Sequence, residues 1–442
     1  MPKVEAIRDY ELAHVDEDDV DFELPSVDQM TGPHIGLMPM KGAVQPTRWF
    51  YGARFFNQAL PLVKPEAPWI QSQVHANPGQ SFDALMGDKA GNIRAKAAMK
   101  ITGLDDNTIH GIDEAGKKVQ LPLYRNFAFN RKSGISNIPL VKVGDMVKPG
   151  DLLAHSNFTD SKGTLAMGIN TRVGLVPYKG YSMDDAIVIS EALAKRLSSL
   201  HTETIDADFK AKGLKGGLDH FTSIFPSKYV KEQLANMDPH GVVKVGTVLN
   251  KNDPVILASR PRNFNSSQSA LGKLHKVART LRADASTKWD NDDPGRVVDV
   301  AHNRDGTIKV VVESVRPVRD GDKLVYRSGQ KGITSRVIPD AHMPRTADGR
   351  PLEVLLNPMG IPSRANSNLP LEVILGKIAE KTGQPMKLPS FNAVGDSWVK
   401  FAREQLAAHG LTDKEEVFDP LHNRKLENRS EERRVGKECL RL

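Results

Sequence analysis

Between Asn92 and Val176 the chain runs as short β-prone segments broken by Gly and Asp, with two Gly-Asp turns, Gly144-Asp145 and Gly150-Asp151, only six residues apart. Such spacing predicts tight hairpins in a small β-sandwich or barrel. Ala186-Ile187-Val188-Ile189 is apolar throughout, which fits either a buried strand or the start of a buried helix. Ser190 then suits the cap of a helix in which Leu193, Ala194 and Leu197 recur. Strands return at Val297–Val300 and Ile308–Val312. Elsewhere Phe50, Phe55 and Phe56 punctuate a partly helical stretch over Thr47–Gln58, ended by the prolines from Pro61 to Pro68. The first forty-five residues show no sustained period and read as irregular chain. Residues 200–293 are polar, with a Gly/Lys-rich run at Lys210–Gly217 and a Ser/Asn-rich one at Asn263–Ser269, and read as an inserted, partly mobile module. The expected class is therefore mainly β with α.

Length decides how many units this makes: 442 residues, 39% hydrophobic and 26% charged, fit two or three soluble globular domains. No run of about 18 apolar residues occurs, and the opening MPKVEAIRDYE is too acidic and polar for a secretory signal, so the expected compartment is the cytoplasm, with no membrane contact. The formal charge of +7 is compatible with a nucleic-acid partner without demanding one. The single cysteine, Cys439, excludes a disulfide framework, a CxxC zinc site and a cysteine nucleophile in the body of the chain. It falls in Arg429-Ser430-Glu431-Glu432-Arg433-Arg434-Val435-Gly436-Lys437-Glu438-Cys439, which reads as a translated sequencing adapter rather than a solvated charged helix end. Residues 429–442 carry five basic and three acidic side chains, so the body of the chain would hold +5.

Several catalytic patterns are absent: GxxxxGK[ST], HExxH, GxSxG, and a GxGxxG following a strand. The thirteen histidines lack metal-ligand spacing, and His342, the most tempting of them, reads as structural or exposed. Three constellations carry chemistry. In Gly180-Tyr181-Ser182-Met183-Asp184-Asp185-Ala186 an acidic pair follows a Gly-Tyr turn and abuts the apolar run. A bare acidic pair means little, since others stand at 18–19, 105–106 and 292–293 and most such pairs are simply hydrated, but a pair held at the mouth of a core suits a hard cation such as Mg²⁺. In Gly321–Gly332, Lys323 and Lys331 stand eight residues apart on a Gly-rich loop suited to phosphate oxygens, although taken alone a solvated basic loop is the better reading. In Asn357–Asn366, two prolines and Gly360 stiffen the turn that presents Arg364, either to fork onto a phosphate or to pair locally.

These three segments, in this order, resemble the β-type, second-largest subunit of multisubunit DNA-directed RNA polymerases. Gly52–Pro61 with Glu66-Ala67-Pro68 is similar to that family's fork region, Val143–Asp145 through Leu165–Gly168 to the stretch before its acidic pair, and Asp293–Val300 to the strand returning from its flap. The resemblance covers most of residues 45–428. It implies a double-psi β-barrel in a hybrid-binding region, a barrel-sandwich-like element and an inserted flap. The implied divisions are a lead-in and fork-like region at 1–60, the first hybrid-binding part at 61–199, a flap-like insertion at 200–293, the second part with the barrel at 294–376, a connector at 377–428 and the adapter-like tail at 429–442.

By position, the resemblance implies that Asp184 and Asp185 sit near the incoming nucleotide's Mg²⁺, shared with a β′-type subunit. Lys323 and Lys331 would contact phosphates of the RNA 3′ end and the nucleotide, and Arg48 and Arg364 the outer phosphates, with Gln58 also on the nucleic acid. The implied partners are β′-type and α-type subunits, DNA template, RNA transcript and nucleoside triphosphates. The catalytic aspartate triad belongs to the β′-type partner, so the isolated chain is expected to be inactive. Departures are Asp184 where the family has Glu, Ala365 where it has Met, and Asn368-Leu369 where it has Gly-Gln. A divergent split subunit of viral type beginning at Met1 would explain the missing front, and would place the chain in a host-cell cytoplasm or with a nucleoid. The competing expectation is a non-catalytic nucleic-acid-binding β-barrel; a stand-alone polymerase would need three clustered carboxylates.

Overall fold

Six strands form a closed barrel: β1 (Ile169–Leu175), β2 (Ala186–Ser190), β3 (Lys323–Tyr326), β4 (Lys331–Ile338), β5 (Val354–Leu356) and β6 (Glu432–Arg441), in the order β1-β5-β2-β4-β3-β6. The computed structural model describes residues 3–23, 27–74, 77–130, 133–210, 213–261, 282–391, 397–422, 424–425 and 432–441; residues 27, 28, 128–130, 424 and 432–441 are described by backbone alone. The Ser/Asn-rich stretch Asn263–Ser269, residues 211–212 of the Gly/Lys-rich run, and residues 429–431 and 442 of the tail lie outside the described residues. β1 pairs with β5, and β2 with β4, in parallel, while the remaining contacts are antiparallel. Ile169, Val173, Ile187, Ile189, Leu324 and Val354 fill the interior.

The apolar run Ala186–Ile189 is a strand, not a helix start. Ile187 and Ile189 face the barrel core, whereas Val188 joins a separate cluster with Met343, Leu352 and Leu355. A strand covered on both faces has no solvent side to make polar, which accounts for the unbroken apolar run. Ser190 Oγ accepts the Leu193 N–H at 3.2 Å and caps the helix Glu191–Arg196, as its sequence predicts.

The two Gly-Asp turns have a different role from the one expected. In each, the Asp carboxylate accepts the N–H three residues back: Asp145 from Lys142 at 2.8 Å and Asp151 from Lys148 at 2.7 Å. The strands they launch do not pair as hairpins. Met146–Val147 lies on Met99–Leu104, and Leu152–Ser156 lies between Ile93–Arg94 and Asn137–Pro139. The same turn recurs at Asn250/Asp253 and Arg319/Asp322, each time with a positive φ just before the Asp (Gly144 103°, Gly150 92°, Asn252 71°, Gly321 92°). Gly321-Asp322 is thus the turn that starts β3.

The N-terminus also corrects the expectation of irregular chain. Lys3–Arg8 and Glu11–Asp16 form an antiparallel hairpin around Asp9-Tyr10, whose φ angles of 52° and 69° make a two-residue turn without the usual Asn-Gly signal. Among the described residues the longest helices are α1 (Pro46–Gln58), α2 (Phe82–Lys89), α3 (Asn368–Thr382) and α4 (Trp398–Ala408). Pro46 sits at the first position of α1, where its missing N–H costs nothing. Within 200–293, Phe221, Val255, Ile256 and Trp289 form a second core, shared with Val297, Val310 and Val312 of the neighbouring strands Gly295–His302 and Thr307–Arg316. Among the described residues no helix is long and apolar enough to cross a membrane.

Candidate functional site

Helix α1 and the hairpin joining β3 to β4 make the floor of the site. On α1, Arg48, Tyr51, Gly52 and Phe55 follow at spacings of three, one and three, and therefore share one face. That face lies on the hairpin because two glycines let the backbones meet. A Cβ on Gly52 would come within 2.6 Å of the Arg327 carbonyl, and one on Gly329 within 2.5 Å of the Arg48 carbonyl. Arg48 Nη1 then donates to the Gly329 carbonyl at 2.8 Å.

The hairpin register answers why two lysines eight residues apart can act together. Val325 pairs with Lys331 and Lys323 with Ile333, so Lys323 and Lys331 are diagonal neighbours on one face of the ladder, about 7–8 Å apart by ordinary sheet geometry. Both turn toward α1: Lys323 Nζ lies 6.0 Å from the Phe55 ring centre and Lys331 Nζ 5.7 Å from that of Tyr51. Arg48 Cζ lies 5.9 Å from the same Tyr51 ring. Two cations therefore converge on one aromatic ring, an arrangement that the ring quadrupole favours.

The acidic pair enters from the turn before β2. Ser182 is buried and holds this turn, accepting the Tyr178 N–H at 2.8 Å, and the Ala186 N–H closes on the Met183 carbonyl. Asp184 takes φ +50°, a left-handed conformation that Asp adopts more readily than most residues, and is exposed. Asp185 is half-buried, and its backbone carbonyl accepts the Ile333 N–H from β4 at 3.2 Å.

The third constellation forms the opposite wall. Asn357 caps the short 3-10 turn Pro358–Gly360 by accepting the Met359 N–H at 3.1 Å, and a second such turn, Pro362–Arg364, follows directly. Ala365 follows at φ +46°, and its carbonyl accepts the Gln45 N–H just ahead of α1. Arg364 so presented places Nη2 2.7 Å from Asp185 Oδ1. Asp184, Asp185, Gln330, Lys331, Asn357 and Gly360 line one shallow pocket. The Gln330 Oε1 and Asn366 Oδ1 atoms are buried without a hydrogen-bond partner among the described residues.

Arg48, Lys331, Arg364, Asp184 and Asp185 are thus brought together; Lys323 lies one helical turn further along α1 at Phe55. Gln58 ends α1 and is exposed, one turn beyond Phe55. Burial and the neighbouring Arg364 press the pKa of Arg48 below its ordinary value, with Tyr51 and Asp185 pulling the other way. A cluster whose cations repel one another and outnumber its carboxylates favours an anion. As a metal site, the donors are two carboxylates on one turn, and no group of three His, Cys, Asp or Glu side chains gathers among the described residues. That set fits a Mg²⁺ which keeps its waters and takes its other ligands from elsewhere.

Sequence reasoning missed Tyr51 and Arg327. Tyr51 was legible only as the residue three after Arg48 and four before Phe55 once α1 was assigned. Arg327 lies in the middle of the lysine motif yet is 1% exposed.

The family description "RNA polymerase Rpb2, domain 6" matches residues 112–429. A protein named DNA-directed RNA polymerase subunit beta from Mycoplasmopsis pulmonis (strain UAB CTIP) is 31% identical over 430 residues, covering 93% of this chain and 34% of that protein. Proteins of the same name from Pseudothermotoga lettingae and Syntrophomonas wolfei subsp. wolfei are 30% and 29% identical, covering 92% and 93% of this chain and 36% and 38% of their own lengths. The chain spans about a third of the length of these relatives.

Proposed function

The chain belongs to the RNA polymerase Rpb2 domain 6 family, as a fragment of a β-type subunit, and from that premise we propose that it supplies the phosphate-gripping half of a nucleotidyl-transfer site in DNA-templated RNA synthesis. The observation that carries the reading is the meeting of Arg48 and Lys331 on Tyr51 beside the Arg364–Asp185 pair. Within the family match, the strand order β1-β5-β2-β4-β3 with its two parallel pairings supports a double-psi barrel as the scaffold.

Phosphoryl transfer is accelerated mainly by positioning and by neutralising charge on the phosphate and pyrophosphate oxygens. Arg48 and Arg364 would hold the outer phosphates of a nucleoside triphosphate, Lys331 the phosphate being attacked, and Lys323 the RNA 3′ end. Asp184 and Asp185 would hold the Mg²⁺ that accompanies the triphosphate and offsets charge on its leaving group. The remaining carboxylates would come from a β′-type partner, with an α-type subunit, the DNA template and the transcript completing the assembly. The full chain should bind inorganic tripolyphosphate with Mg²⁺, and Lys331→Ala or Arg48→Ala should weaken that binding by about tenfold each. Equal affinity in wild type and both variants would contradict the assignment.

One observation favours the second reading, a non-catalytic nucleic-acid-binding barrel: Asp185 and Arg364 are engaged with each other. That reading requires steeply salt-dependent binding of single strands by the chain, and no loss of it in Asp185→Asn.

A further inference from the structure

At the tip of the β3–β4 hairpin, three consecutive residues are each held by a different part of the chain. Gly329 accepts from Arg48 through its carbonyl, Ser328 Oγ accepts from Asn366 Nδ2 at 3.4 Å, and Arg327 turns inward. Its Nη1 lies 3.1 Å from Asp83 Oδ1 and its Nη2 2.8 Å from Glu372 Oε1, with Nη2 also donating to the Ile70 carbonyl. Asp83 and Glu372 are buried as deeply as the arginine. The Ser72 N–H donates to Asp83 Oδ2 at 2.9 Å. Asp83 lies in the first turn of α2, Glu372 lies in α3, and Ile70 and Ser72 belong to the strand Ile70–Val74.

Stability is a weak reason for such a group. Taking a guanidinium and two carboxylates out of water costs several kcal/mol per ion, and well-packed apolar residues of like volume serve stability equally. What the ions add is direction. Two different carboxylates take the two ends of one planar fork, so the guanidinium can neither rotate nor slide, whereas a lysine ammonium is a point charge without that fixed fork. The fixed point is four residues from Lys331 and four from Lys323.

We propose that Arg327 is a positioning residue: locked by Asp83, Glu372 and the Ile70 carbonyl, it sets where the hairpin presents Lys323 and Lys331. The anion presented to is the triphosphate of the proposed function, on which that part of the inference rests; the hairpin's placement does not depend on it.

The test compares the full chain with Arg327→Lys and with Glu372→Gln, the second retaining an acceptor should the first not fold. Amide hydrogen exchange is followed at residues 323–333 and at β1, alongside tripolyphosphate affinity in the presence of Mg²⁺. Exchange over 323–333 should quicken roughly tenfold or more while β1 keeps its protection. Affinity should fall about five- to twentyfold, as expected for misplaced phosphate contacts. Unchanged exchange at the hairpin, or an equal rise in β1, would overturn the positioning role. A wild-type chain that ignores tripolyphosphate would count against the proposed function alone, since the exchange data still decide the hairpin's dependence on Arg327.

Discussion

Arg364 Nη2 stands 2.7 Å from Asp185 Oδ1, so the cation proposed to grip a phosphate and the carboxylate proposed to face Mg²⁺ are each other's partners. Both side chains are about a third exposed (31% and 39%), where an ion pair is worth about 0–1 kcal/mol. On the proposed reading, an arriving triphosphate with its cation would part them at little cost, and the pair would act as a light latch.

Asp185→Asn should separate these roles. Removing the charge frees Arg364 but also takes away a ligand of the nucleotide's Mg²⁺, so kcat should fall by about a hundredfold with little change in KM. Steady-state nucleotide addition by the assembled polymerase measures both. Unchanged kcat would mean that Asp185 has no part at the nucleotide's Mg²⁺.

Tyr51 offers one ring to two cations. Tyr51→Phe keeps that surface and should leave activity within about twofold, whereas Tyr51→Leu removes it and should cost about 1–2 kcal/mol of nucleotide affinity. Equal effects of the two changes would assign the role to the hydroxyl.

Gly329→Ala tests the seat of the hairpin on α1. The residue has φ +76°, and a Cβ would lie 2.5 Å from the Arg48 carbonyl. The left-handed conformation and the clash together should cost about 2–4 kcal/mol in urea unfolding. Full stability in that variant would show that the two backbones do not touch.

The buried acid behind the hairpin gives stability a pH dependence of definite sign. Burial outweighs the Arg327 charge and raises the Asp83 pKa to about 6. The folded value lies above the unfolded one, about 3.9, so the native state binds the extra proton. The contribution is complete below about pH 4 and is lost as pH rises through 6, a change of at most about 3 kcal/mol. Asp83→Asn should remove this slope from the unfolding free energy between pH 4 and 6. An unchanged slope would mean that Asp83 titrates normally.

Reading the source DNA across Asn428 should return a different continuation from residue 429 onward. The family match ends at residue 429, and β6 fills the last place in the barrel with Glu432-Arg433-Arg434-Val435-Gly436-Lys437-Glu438-Cys439-Leu440-Arg441. Six of those ten residues are charged, unlike the apolar runs of β2 and β5. A genuine reading frame with this tail would end the adapter interpretation.

The parts of the fold fixed by local chemistry were legible in the chain alone. The Ser190 cap, the proline stop after Gln58 and the rigid Asn357–Asn366 turn all need only their neighbours, whereas the apolar run before Ser190 fitted strand and helix alike. The Gly-Asp turns misled because the turn itself is local whereas its strands pair with more distant chain, Met99–Leu104, Ile93–Arg94 and Asn137–Pro139. Asp9-Tyr10 hid a hairpin because Tyr rarely takes positive φ, and Asp signals such a turn chiefly when Gly follows it. Arg327 was invisible for a stronger reason: its burial depends on Asp83 and Glu372, more than 240 residues before it and 45 after it.

The most direct measurement is single-nucleotide addition by polymerase assembled with Lys331→Ala, Arg364→Ala or the wild-type chain. Each substitution should slow addition by about 10²–10³-fold, the usual cost of losing one contact to developing charge. Near-normal addition by both variants would contradict the claim that these cations grip the reacting triphosphate.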